Sequence, residues 1–71
     1  MAKQQELLEY ISQHPHCSQK DMTNHFLGSQ NSVAHPLHVL QKKGFIQSYR
    51  DQSFTRYHLT EKGGEMLAVN L

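Results

Sequence analysis

The stretch from Ser29 to Gly44 constrains the fold of this 71-residue chain more than any other. Its sequence, SQNSVAHPLHVLQKKG, begins with a good helix N-cap residue and ends with a glycine, which often follows the last turn of a helix. Val33, Leu37 and Leu40 recur at the spacing of one helical face. We therefore predict a third helix over residues 30–43, with an apolar stripe that packs on the rest of the chain.

Pro36 lies near the middle of this predicted helix. A proline there removes one backbone hydrogen bond and clashes with the preceding turn, at a cost of about 3 kcal/mol. Either the helix is kinked near His35, or a tight turn at 30–34 precedes a helix that begins at Pro36. The spacing of the apolar stripe favours the kinked but continuous helix.

The other faces of the third helix carry polar side chains, and none of them is a carboxylate. Amide, hydroxyl and imidazole groups can hydrogen-bond to phosphates and base edges, although a polar exposed face is also ordinary in any soluble domain. These residues are Gln30, Asn31, Ser32, His35, His38, Gln41 and Lys42.

Two helices are predicted before it, over residues 3–13 and 18–27. The first ends before Pro15, and His14 to Ser18 is predicted to be a short extended connector. Ser18 is the expected N-cap of the second helix, with Asp21 at the reciprocal position of a capping box. Gly28 is expected to end that helix, and the short turn to the third helix is typical of a helix-turn-helix.

After Gly44 the spacing changes to that of β-strands. Aromatic and β-branched residues mix with polar ones over 45–50 and 54–59, and Asp51-Gln52-Ser53 between them indicates the turn of a β-hairpin. A last helix is predicted over 61–69, in which Gly63 and Gly64 weaken the first turns because glycine costs about 1 kcal/mol relative to alanine.

The length predicts a single domain, residues 1–71, which would bury only about 60% of the surface that its unfolded chain exposes. Cys17 is the only cysteine, so no disulfide framework is available and a reducing, cytoplasmic setting is favoured. No apolar run is long enough to span a membrane, and the N-terminus lacks the apolar region of a secretory signal.

The formal net charge of +1 does not by itself indicate a nucleic-acid partner. The distribution is more informative, because residues 42–60 hold four cations, Lys42, Lys43, Arg50 and Arg56, and one anion, Asp51. Positive charge therefore follows the third helix and flanks the turn of the hairpin, where phosphate contacts are expected if the charges are not simply solvated.

The run SVAHPLHVLQKKGFIQSYRDQSFTRYHLTEKG resembles the winged helix-turn-helix core of bacterial transcription regulators. The likeness lies in Ser-x-x-x-x-Leu-x-x-Leu-x-x-x-Gly from Ser32, in the hairpin with basic flanks, and in Tyr57-x-Leu59-Thr60-x-x-Gly63. That last phrase is similar to the one that closes the wing in the MarR, PadR and ArsR-like groups. The resemblance implies an α+β fold of three helices, a β-hairpin wing and a short C-terminal helix, with a short extra strand near Cys17.

The resemblance also implies a DNA-binding transcription regulator, with the third helix in the major groove of double-stranded DNA and the wing, residues 50–56, along the backbone. No enzyme activity and no cofactor are expected. The tail with Met66, Leu67, Val69 and Leu71 is either a lid over the first helix or a dimer contact, and regulators that read palindromes are usually dimers. The predicted DNA contacts are Ser29, Gln30, Asn31, Ser32, His35, His38, Lys42, Lys43, Arg50, Gln52, Ser53 and Arg56.

Two other functions are compatible with the sequence. A winged helix can serve as a protein-interaction module without binding DNA, and the low net charge fits that function. A metal- or redox-responsive accessory protein would use Cys17 with His14 and His16, or the pair His35 and His38. A structural zinc site needs four ligands at established spacings, so we predict no metal site, and we expect Cys17 to be a small buried residue.

Overall fold

The computed structural model describes residues 4–26 and 30–69, with the backbone alone at 30–32. The α+β fold predicted from the sequence is confirmed, and the short strand that the resemblance implied is present as β1. The elements are α1 (Gln4–Gln13), β1 (Cys17–Ser18), α2 (Gln19–His25), α3 (Gln30–Lys42), β2 (Ile46–Asp51), β3 (Phe54–Leu59) and α4 (Glu61–Val69).

The three strands form an antiparallel sheet in the order β1-β3-β2. Cys17 lies opposite Tyr57 in the β1–β3 pair, and Asp51 lies opposite Phe54 in the β2–β3 pair. The wing turn is therefore one residue shorter than predicted, because Asp51 belongs to β2 and only Gln52 and Ser53 connect the strands. Gln52 has a positive φ of 58°, as tight hairpin turns require.

The helices pack their apolar faces against one face of the sheet, as the spacing of leucines and valines indicated. Val33, Leu37 and Leu40 of α3 are at most 2% exposed, which confirms the predicted stripe. Burying each such side chain stabilises the fold by about 1.5–3 kcal/mol. The other members of the core are Leu7, Leu8 and Ile11 of α1, Cys17, Met22 of α2, and Phe45, Ile46 and Tyr57 of the sheet region.

Helix α3 runs without a break from Gln30 to Lys42, with Pro36 inside it. The continuous helix that the apolar stripe favoured is confirmed, and a helix that begins at Pro36 is wrong. Pro36 is buried, so its ring packs in the interior of the protein. This burial offsets part of the cost of the backbone bond that proline cannot make.

The connector predicted to be extended over residues 14–18 is extended only at β1 (Cys17–Ser18), because residues 14–16 form a turn. The N–H of Cys17 donates to the carbonyl of His14 at 3.2 Å, and His16 has a positive φ of 68°. Pro15 at the second position and a positive φ at the third are the pattern of a type II turn. Ser18 then caps α2 in a full capping box with Asp21, as predicted. Helix α2 ends at His25 with Phe26 as its C-cap, so its predicted extent to residue 27 is wrong, and Gly28 lies outside the described residues.

Gly44 ends α3 through a Schellman motif. Its φ is 81°, its N–H donates to the carbonyl of Gln41, and the N–H of Phe45 donates to the carbonyl of Leu40, both at 3.0 Å. These two bonds satisfy carbonyls that the helix leaves unpaired at its end. The glycine stop predicted from the sequence therefore has a defined geometry.

Thr60 joins the end of α3 to the start of α4. Its hydroxyl donates to the carbonyl of Gly44 at 2.6 Å and accepts from the N–H of Gly63 at 3.1 Å. A Cβ on Gly63 would overlap the carbonyl oxygen of Phe45, which accepts from the N–H of Thr60. Gly63 is therefore required by a close backbone approach, which corrects the interpretation of this glycine as only a weak point of the helix.

Candidate nucleic-acid interface

The exposed face of α3 carries nitrogen-bearing side chains at the spacing of one helical stripe. His35, His38 and Lys42 are all exposed and lie three and four residues apart. No acidic residue occurs between residues 30 and 42. The face opposite the buried stripe can therefore donate hydrogen bonds and carry positive charge toward a partner.

The predicted contacts before His35 lie at the start of the same helix. Gln30, Asn31 and Ser32 form the first turn of α3, and position 31 falls on the stripe of His35, His38 and Lys42. Ser29, the predicted cap, lies outside the described residues. Gln41 lies beside the stripe, and its side chain donates to Ser48 of β2 at 2.9 Å, which fixes the helix against the wing.

The wing adds a second exposed group. Arg50 on β2 and both turn residues, Gln52 and Ser53, are exposed. Phe54 follows the turn and keeps 41% of its surface exposed. The turn itself is therefore uncharged, and it lies between the cation of Arg50 and the exposed carboxylate of Asp51 on one side and Phe54 on the other.

Arg56 differs from Arg50, although the sequence suggested equal roles for them. Its Nε donates to Asp51 at 2.9 Å, and its Nη1 donates to the carbonyl of His16 at 3.0 Å. Its guanidinium also lies 5.5 Å from the centre of the Phe54 ring. Arg56 thus holds the two strands of the wing to the turn before β1. The diagonal placement of Asp51 and Arg56 in the hairpin is the signal that could have shown this pairing.

The two lysines at the end of α3 are both exposed. Lys43 donates to Gln4 of α1 at 3.4 Å, a weak bond that a competing anion can replace. Lys42 lies on the stripe with His38. Two cations therefore lie at the end of α3, where the carbonyls favour positive charge.

Cys17 takes no part in this surface. Its side chain is 6% exposed and packs in the core opposite Tyr57, as predicted. Burial is the main reason why the pKa of its thiol is raised to about 11, and the nearby Asp21 carboxylate raises it further. Within residues 4–26 and 30–69, no group of three or more His, Cys, Asp or Glu side chains is arranged to hold a metal ion.

Sequence reasoning missed two clusters of rings. Tyr49 donates to or accepts from His16 Nδ1 at 2.7 Å, on the face of the sheet that points away from the core. Tyr10 stacks with His14 at 4.3 Å and with His25 at 4.6 Å between ring centres. Tyr10 and His14 are four residues apart, a spacing that predicts contact on a helix, whereas the contacts of Tyr10 with His25 and of Tyr49 with His16 join residues distant in sequence.

The sequence matches no family model and no curated protein. Its structure is similar to the crystal structure of MarR, with a TM-score of 0.89 and 23% identity over 94% of this chain and 48% of that one. It is similar to Streptococcus pneumoniae FabT in complex with DNA, with a TM-score of 0.85 and 20% identity over 94% and 49%. It is also similar to Staphylococcus aureus MepR, with a TM-score of 0.86 and 25% identity over 93% of this chain and 51% of that one.

The fold is the winged helix-turn-helix of MarR-type regulators. Of the groups that the sequence resembled, the MarR group is the one that the solved structures support. The chain spans about half the length of these proteins. In the winged helix, α2 and α3 form the helix-turn-helix, β2 and β3 form the wing, and β1 completes the sheet. Among the described residues, no helix has the length and apolar character needed to cross a bilayer.

Proposed function

We propose that this chain is the DNA-binding module of a cytoplasmic transcription regulator, without enzymatic activity. The observation that carries the proposal is the exposed, carboxylate-free stripe of His35, His38 and Lys42 on α3, beside an exposed wing. FabT, one of the similar structures, was solved in complex with DNA, which supports the proposal. The partner is double-stranded DNA, with α3 in the major groove.

The residues divide into two groups by the chemistry they bring. Amides and imidazoles at the start of α3 contact base edges, since Asn and Gln can bond adenine through two hydrogen bonds. Cations at the end of α3 and on β2 contact phosphates, which fix the position of the protein on the duplex. The proposed base contacts are Ser29, Gln30, Asn31, Ser32, His35 and His38, and the proposed backbone contacts are Lys42, Lys43, Arg50, Gln52 and Ser53.

We assign Arg56 a supporting role in the same surface. Its bonds to Asp51 and His16 use the guanidinium to shape the wing, and its side chain is 31% exposed. Its contribution to DNA affinity therefore comes mainly from holding the turn in place.

The test is binding to a random-sequence duplex, measured by fluorescence anisotropy at several salt concentrations. Each phosphate contact adds about 0.9 to the slope of log affinity against log salt. Arg50→Ala should reduce that slope by about 0.9, whereas Arg50→Lys, which keeps the charge at the same position, should leave it nearly unchanged. Arg56→Ala should weaken binding with a smaller change in slope than Arg50→Ala.

Two results would contradict the proposal. The first is no binding even at low salt, and the second is binding whose slope is unaffected by Arg50→Ala and Lys42→Ala together. Either result would favour the second candidate function, a protein-interaction module. The exposed rings of Phe54 and Tyr49 on the wing are the observation that supports that candidate.

A further inference from the structure

The outer face of the sheet brings together two histidines that are distant in sequence. Tyr57 faces the core, so strand alternation places its neighbour His58 on the opposite face. The turn before β1 places His16 beside it, with 6.2 Å between the centres of the two rings. The proposed DNA contacts do not include this histidine pair (His16 and His58), and the pair lies on different elements from α3.

One nitrogen of His16 is already oriented by a hydrogen bond. Its Nδ1 lies 2.7 Å from the hydroxyl of Tyr49, which also packs 6.1 Å from the ring of His58. If Nδ1 carries the proton and donates to Tyr49, the lone pair of Nε2 is free to bind a metal. Histidines that ligate metals almost always donate their other ring N–H to such a partner, which fixes the tautomer and the ring plane.

We propose that the histidine pair binds one divalent transition-metal ion of the zinc and nickel class, with water completing the coordination. Imidazole nitrogens bind such ions at about 2.0–2.1 Å, so two rings on one ion have centres about 5 Å apart at a tetrahedral angle and about 6.4 Å apart when the two nitrogens are trans. The observed separation of 6.2 Å lies between these values, so a tetrahedral ion would draw the two rings together by about 1 Å. Tyr49 is a positioning residue for His16, and the ion would link the turn before β1 to β3 at the base of the wing.

The charges around the pair permit a cation to bind there. Arg56 is the cation on the same face of β3, and Asp51 balances its charge through the contact at 2.9 Å. Cys17, the next residue after His16, packs in the core and is not a ligand. Two imidazoles without a carboxylate form a modest site, so we expect occupancy at micromolar rather than nanomolar zinc.

The test is isothermal titration of the whole chain with Zn²⁺ at neutral pH, using one variant for each ligand. His16→Asn suits the positive φ of residue 16, because asparagine tolerates that conformation, and His58→Gln removes the second ligand. Each should weaken the affinity at least about 10-fold, and Tyr49→Phe should weaken it by about 10-fold while keeping the ring. His14→Gln, which removes an exposed histidine two residues away, should leave binding unchanged.

Circular dichroism melting of each variant separates loss of ligand from loss of fold. If the His16→Asn variant does not fold, the affinity of the His58→Gln variant for zinc decides the test. The proposal is overturned if the wild-type chain takes up no zinc at 100 times the protein concentration, if affinity survives both ligand substitutions, or if His14→Gln weakens it as much as they do. Nuclear magnetic resonance should show the shifts of the His16 and His58 rings moving together with zinc, and separate movement would also reject a shared ion.

Discussion

Gly63 and Gly64 are neighbours in α4, but their surroundings differ. A Cβ at Gly63 would overlap the carbonyl oxygen of Phe45 and approach Leu59 Cδ1 to 2.9 Å, whereas at Gly64 the nearest atom, Leu59 Cδ2, is 3.8 Å away. We therefore expect Gly63→Ala to reduce the free energy of unfolding by about 1–3 kcal/mol. Gly64→Ala should increase it by up to about 1 kcal/mol, because alanine favours the helix.

Urea unfolding of the two variants beside the wild-type chain measures both effects. Gly64→Ala is the matched control, since it makes the same chemical change one residue away. The two substitutions should shift the unfolding midpoint in opposite directions. A Gly63→Ala chain as stable as Gly64→Ala would show that the approach of Phe45 does not constrain the start of α4.

The thiol of Cys17 should be unreactive in the folded protein. Burial raises its pKa from 9.0 to about 11, so at pH 8 its thiolate fraction is about 100-fold below that of an exposed cysteine. Because the pKa is higher when folded, the stabilising contribution of the neutral thiol is present below pH 9 and is lost as the pH rises toward 11.

Labelling with a chromogenic disulfide at pH 8, with and without urea, checks this prediction. The folded chain should react at least about 100-fold more slowly than the unfolded one. Fast labelling under native conditions would show that residue 17 is accessible, and it would revive the redox alternative.

At the scale of elements, the capping box of α2 stabilises a helix of only 7 residues. The N–H of Ser18 donates to Asp21 at 3.0 Å, and this bond is the main reason why the pKa of the Asp21 carboxyl is lowered. A carboxyl whose pKa is lowered on folding stabilises the fold above its ordinary pKa of 3.8, and the contribution is lost as the pH falls through and below that value.

We expect Asp21→Ala to reduce the free energy of unfolding by about 0.5–2 kcal/mol at pH 7. The difference from the wild-type chain should shrink as the pH falls below 4, because the wild-type carboxyl is then protonated as well. Thermal melts at pH 7 and pH 3 measure this, with Lys20→Ala in the same turn as the control. An equal loss at both pH values would mean that packing, and not the charged cap, is responsible.

The sequence predicted most elements of the fold because their signals are local. The apolar stripe of α3, the cap at Ser18 and the glycine at residue 44 each depend on residues close together in the chain. The turn before β1 was missed because its positive φ at His16 depends on tertiary bonds, namely the N–H of His16 to the carbonyl of Tyr57 and its own carbonyl to Arg56. The role of Gly63 was missed for the same reason.

The predicted site shows the same division between local and distant information. The helix face with His35 and His38 followed from spacing and is exposed as expected. The difference between Arg50 and Arg56 depends on strand register and on a turn 40 residues away in sequence, which no pattern of charges reveals. The DNA contacts themselves stay predictions until binding is measured.

At the scale of the whole molecule, α4 offers a surface for association. Its residues Lys62, Glu65, Met66 and Val69 surround a shallow apolar cavity beside Phe45. Leu67 of the same helix packs on the core, so the predicted lid is present in part. Val69 is 81% exposed, and Leu71 lies outside the described residues.

We propose that two copies associate through α4 and α1 into a symmetric dimer. In a two-fold contact the same patch meets itself, so Lys62 of one copy can pair with Glu65 of the other while the apolar side chains meet at the centre. Two α3 helices held in this way could read half-sites about 34–36 Å apart, one turn of the duplex. DNA binding by a single copy would be limited to one half-site and would be correspondingly weak.

Sedimentation equilibrium over a range of protein concentrations tests the dimer. Val69→Glu should shift the chain to the monomer, because a carboxylate at the centre of the contact would lose its water without a partner. Ala68→Glu adds the same charge at the preceding residue, which is exposed but does not line the cavity, and should leave the dimer intact. A wild-type chain that stays monomeric at 100 µM would exclude this contact. Because both variants keep α3 and the wing, residual binding of Val69→Glu to a single half-site would separate a failed dimer from a failed DNA site.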